Sequence, residues 1–398
     1  MKKLKVGLIG LGKRGYDVLS DVLCFVDNIE ITALCDVYED RIKKASDFIN
    51  ETCGYRPELE SLDYKDVADS ENVDAVIIFA AWEFHTPIAV YAMKKKKAVG
   101  LEVGGAYSID QCWELVKTYE ETKTPIMMLE NCCYGRIELM LLKMVKDGVF
   151  GTVSHCDGAY AHDLRAEVAD GVKNRHYRLR NYKKRNCDNY PTHELGPIAQ
   201  MLNINRGNRM VSLVSMSSKS AGMKEFIKNN RSDDEDLLNT EFVQGDVVTT
   251  IIKCAGGETI KLSLDTTLPR YYSRGLTVHG TKAFYEEMTD SFVFDGEPHS
   301  EFEWKESWGN AEKYRQEKFE HPIWKQYLKE GVKRGHGGMD WLVFTDFINC
   351  VIENKPMPID VYDAASWMSI APLSEKSIQL GSALVEIPDF TNGKWVLK

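Results

Sequence analysis

Lys5-Val6-Gly7-Leu8-Ile9-Gly10-Leu11-Gly12-Lys13-Arg14-Gly15 decides how this chain is read. An apolar run with strand character feeds straight into G-x-G-x-x-G, formed by Gly10, Gly12 and Gly15, and a helical segment follows. In that pattern the first glycine permits a tight turn and the second lets the backbone approach a pyrophosphate. The third lets the helix sit close to the strand, with its positive N-terminus facing the phosphates. A second apolar run, Glu30 to Cys35, ends in Asp36, 21 residues beyond Gly15. A carboxylate there hydrogen-bonds a ribose 2′-hydroxyl and repels a 2′-phosphate, so the pair of features predicts NAD rather than NADP.

Outward from this stretch, strand and helix alternate over the first 130 residues. Strand candidates are Lys3–Ile9, Glu30–Cys35, Ala75–Phe79, Ala98–Glu102 and Pro125–Leu129, with helical patterns at Tyr38–Asn50, Pro87–Lys96 and Ile109–Thr122. That rhythm predicts a doubly wound parallel Rossmann sheet with its ligand at the carboxyl ends of the strands. The residues to inspect are then Asp36, the loop Ala80 to His85, Glu102-Val103-Gly104 and Glu130-Asn131. Beyond residue 150 the pattern becomes a series of alternating segments: Val153–Tyr160, Met210–Met216, Val247–Cys254, Thr259–Asp265, Gly275–His279 and Ala283–Glu286. Their number and spacing predict a largely antiparallel open sheet. The fold expected is therefore α/β plus α+β, with residues 1–130 as the NAD-binding domain. Residues 131–398 form a substrate-binding and oligomerisation domain whose C-terminal helices, including Trp341–Ile352, return to the first. Lys219–Asn239, polar and charged, reads as an exposed excursion or loop.

Composition excludes other classes. The 398 residues carry a net charge of −10, with 28% charged and 43% apolar side chains. That balance repels a phosphate backbone, so nucleic acid is not an expected partner. No apolar run reaches the ~18 residues of a membrane helix. The basic Met1-Lys2-Lys3 start precedes a strand interrupted by glycines and by Lys13-Arg14, unlike an export signal. The ten cysteines include no C-x-x-C pair and no metal-like spacing. They read as reduced thiols of a cytoplasmic protein without a bound metal.

A Rossmann half followed by an α+β half resembles the Gfo/Idh/MocA oxidoreductases. Usual members end the strand at Ala98–Glu102 in Glu-Lys-Pro, the lysine helping to move a proton from a sugar hydroxyl; this chain has Glu102-Val103-Gly104. More specifically, Trp82-Glu83-Phe84-His85, Glu102-Val103, Glu130-Asn131, Gly158 to Arg165, Tyr177-Arg178-Leu179 and Tyr190-Pro191-Thr192-His193 resemble glycoside hydrolase family 109. So do Pro269-Arg270-Tyr271-Tyr272-Ser273, His336-Gly337-Gly338-Met339-Asp340 and Asp360 to Ala365. Glu194 departs from the pattern, since relatives often carry glycine there.

The resemblance implies that NAD is lined by Gly10, Gly12, Lys13, Arg14, Gly15, Asp36, Trp82, His85, Glu102, Val103, Asn131 and Tyr190. It implies a sugar held by Tyr160, His162, Arg178, Tyr190, Pro191 and Thr192, and a homo-oligomer. Its namesake reaction is cleavage of α-N-acetylgalactosaminides by transient oxidation at carbon 3, elimination, hydration and re-reduction. The alternative is a sugar or cyclitol dehydrogenase, or a glycoside 3-oxidase. With the lysine missing, His193 is the expected acceptor of the sugar hydroxyl's proton, since a histidine side chain is suited to proton transfer near neutral pH. Tyr271, flanked by Arg270 and Arg274, is the second expected catalytic group. Tyr160 and His162, two apart on a strand, share a face. That face is either the open surface over the cofactor or a polar outer surface.

Overall fold

The computed structural model describes residues 3–299 and 302–397, so Met1 and Lys2 of the basic start lie outside it. The chain divides into two compact units. The first comprises residues 1–134 and 330–365, and the second residues 135–329 and 366–398.

The first unit is built on β1 (Leu4–Ile9), β2 (Ile29–Cys35), β3 (Leu59–Ser61), β4 (Ala75–Ile78), β5 (Ala98–Leu101) and β6 (Ile126–Met128). The crossovers are α1 (Lys13–Asp21), α2 (Glu39–Cys53), α3 (Tyr64–Asp69), α4 (Trp82–Lys94) and α5 (Ile109–Thr122). Strand order is β3-β2-β1-β4-β5-β6 and every pairing is parallel. This is the doubly wound Rossmann order, whose switch point lies between β1 and β4. β4, Ala75-Val76-Ile77-Ile78, is wholly buried, as a parallel strand covered on both faces must be. Each of its isoleucines contributes about 1.5–3 kcal/mol by burial.

The returning helix Met339–Glu353 belongs to this unit. Its Phe344 ring lies 5.9 Å from that of Phe79, just past β4. Phe347 stands against Gly100 of β5, where an added Cβ would be 3.1 Å from the ring. Two local expectations are corrected. Trp82 to His85 are not loop but the first turn of α4, with Pro87 inside the helix instead of at its start. The short strand β3 was not predicted, because three half-exposed residues carry no periodic signal.

The second unit contributes α6 (Arg136–Lys146), β7 (Val153–Ala161), α7 (Arg165–Ala169), α8 (Arg178–Lys184), α9 (Thr192–Met201) and β8 (Met210–Ser217). The sheet continues with β9 (Val247–Cys254), β10 (Thr259–Asp265), β11 (Thr277–Gly280), β12 (Ala283–Glu286), β13 (Ser291–Phe294) and β14 (Val385–Glu386). The eight strands run β13-β12-β11-β7-β10-β9-β8-β14. Only β10 and β7 pair in parallel; the other pairings are antiparallel. Burial along β10 alternates residue by residue, as expected for a sheet with one covered face.

α9 and the helix Ile370–Gln379 supply that cover. Gly158 of β7 lets α9 approach so closely that a Cβ there would stand 2.7 Å from the Glu194 Cβ. Ser377 Oγ accepts from the Ser215 N–H of β8 at 2.9 Å. On the other face Ile251 and Met216 are exposed. Lys219–Asn239 is not a loop. It holds helices Gly222–Asn230 and Glu235–Leu238, anchored by buried Met223 and Ile227. Asp246 fixes the start of the first, accepting from the Ala221 and Gly222 amides at 2.8 and 3.0 Å.

Candidate functional site

In the first unit the two ends of the glycine turn, Gly10 and Gly15, are sterically closed to side chains. Gly10 has φ +94°, and a Cβ there would stand 2.6 Å from the Ala80 nitrogen. A Cβ on Gly15 would lie 2.1 Å from the Gly10 carbonyl oxygen. Gly12 caps α1 with extended backbone, and a Cβ there would meet nothing nearer than Arg41 at 3.4 Å. Asp36 is buried at the end of β2, where its carboxylate accepts the Leu11 amide at 2.7 Å and the Tyr38 amide at 3.0 Å. It thereby ties the tip of the turn to the second strand. Arg41 lies 3.6 Å from the same carboxylate.

Arg14, in the first turn of α1, donates Nε–H to Glu102 Oε2 at 2.8 Å. Its two terminal nitrogens donate to Asp340 at 2.7 and 3.0 Å. Asn131, just past β6, donates to Asp340 as well, at 2.8 Å. Glu102 uses its other oxygen to accept the Val103 amide at 3.0 Å. Lys13 stands apart: its side chain is exposed and pairs with Asp17 at 2.5 Å.

Val103 occupies the place of the missing lysine and is buried. The Trp82 indole fills the adjoining space, since a Cβ on Gly104 would lie 2.5 Å from its Cδ1. His85 is buried within α4, and burial pushes its pKa down to about 4, so the ring is neutral. Its Nε2 lies 2.9 Å from the Ala80 carbonyl oxygen, which can only accept, so Nε2 carries the proton. Nδ1 is then a buried acceptor without a partner among the described residues. A closed glycine cradle, a carboxylate after β2 and this orphaned acceptor after β4 fit a dinucleotide.

In the second unit the predicted sugar-binding residues converge. The Tyr160 ring lies 4.5 Å from that of Tyr190 and 5.6 Å from that of His193. Tyr190 and His193 meet edge to face at 4.8 Å, with the phenol oxygen 3.5 Å from Nε2. Tyr160 Oη is 3.2 Å from His162 Nδ1. The Arg178 guanidinium sits 5.0 Å over the Tyr190 ring and forms an ion pair with Glu167 at 2.7 Å. Burial holds the Tyr160 phenol well above its ordinary range. Burial, with the Arg178 charge beside it, pushes the His162 imidazole down. Both groups are therefore neutral at pH 7, and Arg178 supplies the fixed positive charge.

Local sequence explains this convergence. Pro191 precedes α9 and Thr192 opens it, both buried, which leaves His193 half-exposed in the first turn. The segment leading in is laced to the core. Asn189 donates to Gln244 Oε1 at 3.0 Å, and the Asp188 amide donates to Ser374 at 2.9 Å.

Tyr160 lies on the face covered by α9, not on the open face of the sheet. Cys156, Gly158 and Tyr160 alternate inward along β7, and His155 and Asp157 alternate outward. Both alternatives for that face, the open surface over the cofactor and a polar outer surface, are therefore corrected for Tyr160, which is buried. The surroundings expected for Tyr271 also differ. Arg270 is bound to Asp265 at 2.6 Å and Arg274 to buried Glu138, so both flanking guanidinium groups are committed elsewhere. Tyr271 itself is 66% exposed. The neighbouring Tyr272 carries the ring contacts, 5.2 Å from His162 and 6.5 Å from Tyr160. The adjacent Tyr271-Tyr272 pair signals an aromatic at this point but cannot say which ring turns inward. Glu167 was likewise missed, because a single carboxylate carries no local pattern; Asp340 was seen only as the end of the His336 to Asp340 motif, with no role attached. Among the described residues, no helix is long and apolar enough to cross a membrane.

Residues 4–129 match the oxidoreductase family with an NAD-binding Rossmann fold, and residues 134–397 match the glycosyl hydrolase 109 C-terminal domain. A glycosyl hydrolase family 109 protein of Stenotrophomonas maltophilia is 36% identical, over 99% of this chain and 90% of its own length. An α-N-acetylgalactosaminidase of Tannerella forsythia is 36% identical over 99% of this chain and 87% of its own. Among solved structures, an inositol dehydrogenase homolog from Azotobacter vinelandii, complexed with NADH and myo-inositol, superposes with a TM-score of 0.69. It has 15% identity, covering 97% of this chain and 98% of that one. Levoglucosan dehydrogenase complexed with NADH and levoglucosan gives 0.69 at 14% identity, covering 97% and 100%.

Proposed function

The chain belongs to glycosyl hydrolase family 109 and is an NAD-dependent enzyme, and from that premise we propose that it cleaves α-N-acetylgalactosaminides or closely related glycosides. The observation that carries the reading is the cluster of His193, Tyr190, Tyr160 and Arg178 in a chain whose residue 103 is a buried valine. A dehydrogenase of the wider superfamily places its proton-transferring lysine at that position.

In this proposal residues 1–130 hold NAD and the second unit holds the sugar. Gly10, Gly12 and Gly15 give the pyrophosphate access to backbone amides, Asp36 takes a ribose hydroxyl, and His85 Nδ1 accepts a further hydrogen bond from the ligand. Arg14, Glu102 and Asn131 shape the same surface. When bound, NAD supplies the reversible oxidation at the sugar's carbon 3. His193 Nε2 accepts the proton of the carbon 3 hydroxyl and later returns it. Tyr190, 3.5 Å away, fixes the orientation of the imidazole. Arg178 and Tyr160 hold the sugar's oxygens, with Pro191 and Thr192 setting the start of α9. His162 and Tyr272 form an aromatic wall. Tyr271, reachable from solvent, is the second proton-transfer group. No carboxylate pair is required across the scissile bond, unlike ordinary glycosidases.

The chain acts in a reducing, cytoplasmic compartment on this reading, which its ten free cysteines support, eight of them buried. It assembles as a homo-oligomer through the open sheet face, supported by exposed Ile251 and Met216. Light scattering of wild type and an Ile251→Lys, Met216→Lys variant tests the assembly.

The activity is tested with p-nitrophenyl α-N-acetylgalactosaminide in D₂O without added NAD. Release of p-nitrophenol with deuterium at carbon 2 is expected. Net accumulation of NADH with free sugars or cyclitols, and no release of the aglycone, would replace this reading with a dehydrogenase.

A further inference from the structure

The segment Gly335-His336-Gly337-Gly338-Met339-Asp340 has no role in the mechanism above, yet its backbone is unusually constrained. Gly335, His336, Gly337 and Gly338 all have positive φ, at +88°, +42°, +64° and +97°. His336 adopts a conformation that a side chain disfavours. A Cβ on Gly335 would stand 2.8 Å from the Asp340 Cβ. The run of glycines therefore folds tightly under Asp340, in the first turn of the helix Met339–Glu353.

Asp340 is buried and saturated. It accepts both terminal nitrogens of Arg14, the Asn131 amide at 2.8 Å and His336 Nδ1 at 2.7 Å. Burial alone would raise its pKa, but the bonds from His336 and Arg14 hold the carboxyl far below its usual range. One carboxylate thus fixes side chains from two separate places at the carboxyl edge of the parallel sheet: the glycine turn after β1 and the segment after β6. Glu102, after β5, completes the grip on Arg14. Three of the five guanidinium N–H groups bond Glu102 and Asp340, and the Nη1 nitrogen also lies 3.2 Å from His336 Nδ1. Asn131 keeps its second N–H.

We propose that Asp340 is a positioning residue for the dinucleotide: it pre-orders Arg14 and Asn131 so that the cofactor meets a surface already formed. Ordering both groups before binding lowers the entropy lost on association, and the gain appears as slow release. The inference rests on the NAD reading of this unit and extends it to a carboxylate 326 positions from Arg14 in sequence.

The test uses the full chain and NADH as probe, followed by protein-to-nicotinamide energy transfer in stopped flow. Asp340→Asn keeps an acceptor but loses the charge, and Arg14→Lys keeps the charge but loses the fork. Each is expected to release NADH at least tenfold faster, the worth of about one charge-assisted hydrogen bond. The double variant should be no faster than the quicker single, because both act through one interaction. If Asp340 merely supports the fold, Asp340→Asn lowers the urea midpoint of the nucleotide-free protein and leaves NADH release unchanged. That result, or full additivity in the double variant, overturns the proposal. Should Asp340→Asn fail to fold, Arg14→Lys decides alone: release unchanged from wild type overturns it. A wild-type chain that holds no NADH overturns the cofactor reading too, and the wild-type titration identifies that case by itself.

Discussion

Asp188→Asn should stabilise this protein above neutral pH while leaving it unchanged in acid. Asp188 is fully buried two residues before Tyr190, and neither carboxylate oxygen completes a well-formed hydrogen bond. Burial pushes its pKa up to about 7 from an ordinary 3.8, with Thr250 and the Tyr190 amide offsetting only part of the cost. Between those values the folded chain holds a proton that the unfolded chain has released, so stability falls as pH rises through the window. About three pKa steps at 1.36 kcal/mol each give a penalty of about 4 kcal/mol at pH 8. Asparagine has nearly the shape of the protonated acid and does not titrate. Urea denaturation of both proteins at half-unit steps from pH 4 to 8 should show no difference at pH 4. A gap of up to about 4 kcal/mol in favour of the variant should open by pH 8. A constant gap across the range, or a variant weaker at pH 8, would refute the reasoning, because it would mean that the native carboxylate is satisfied when charged.

Four further outcomes follow from the second unit. His193→Ala should reduce turnover by about 10²–10⁴-fold while the equilibrium titration with NADH stays at the wild-type value. Gly158→Ala, which places a methyl 2.7 Å from the Glu194 Cβ, should destabilise the fold by about 1–3 kcal/mol in urea melts. Tyr271→Phe should cost about 10²-fold in kcat, the value of a proton-transfer group. Tyr272→Phe keeps the ring against His162 and should stay within about threefold; an equal loss in both variants would contradict the separate roles.

The fold was legible where burial is two-sided or strictly alternating. β4 announces itself as an unbroken apolar run, and β9 and β10 alternate so regularly that their predicted limits coincide with those observed. Helix α5 was legible from its helical pattern alone, and the structure adds its cap, Ser108 accepting the Gln111 amide at 3.2 Å. The start of α4 was not, because proline marks a helix's first turn in sequence statistics, whereas here the first turn lies upstream of Pro87. Lys219–Asn239 was misread because two buried apolar side chains and one distant carboxylate, Asp246, organise an otherwise polar stretch. The site divides similarly. Gly10, Gly12, Gly15 and Asp36 are spaced along the chain by the geometry of one motif, so sequence finds them. Tyr190 to His193 lie in one turn and were found together. Asp340 meets Arg14 and Tyr272 meets His162 only through tertiary packing, for which neither spacing nor periodicity is a guide.

The division of the first unit between residues 1–134 and 330–365 bears on how the protein is born. A ribosome releases all six strands of the parallel sheet about 230 residues before it releases the last of the segment that finishes them. At ordinary translation speeds that interval is on the order of 10–50 s. Throughout it Phe79 lacks Phe344, Gly100 of β5 lacks Phe347, the β6 edge lacks the bond from Met128 N–H to the Ile359 carbonyl, and Arg14 is left without Asp340. The nascent amino-terminal half thus waits with apolar surface uncovered, and a chain cut before residue 340 would lack the contacts that complete this unit.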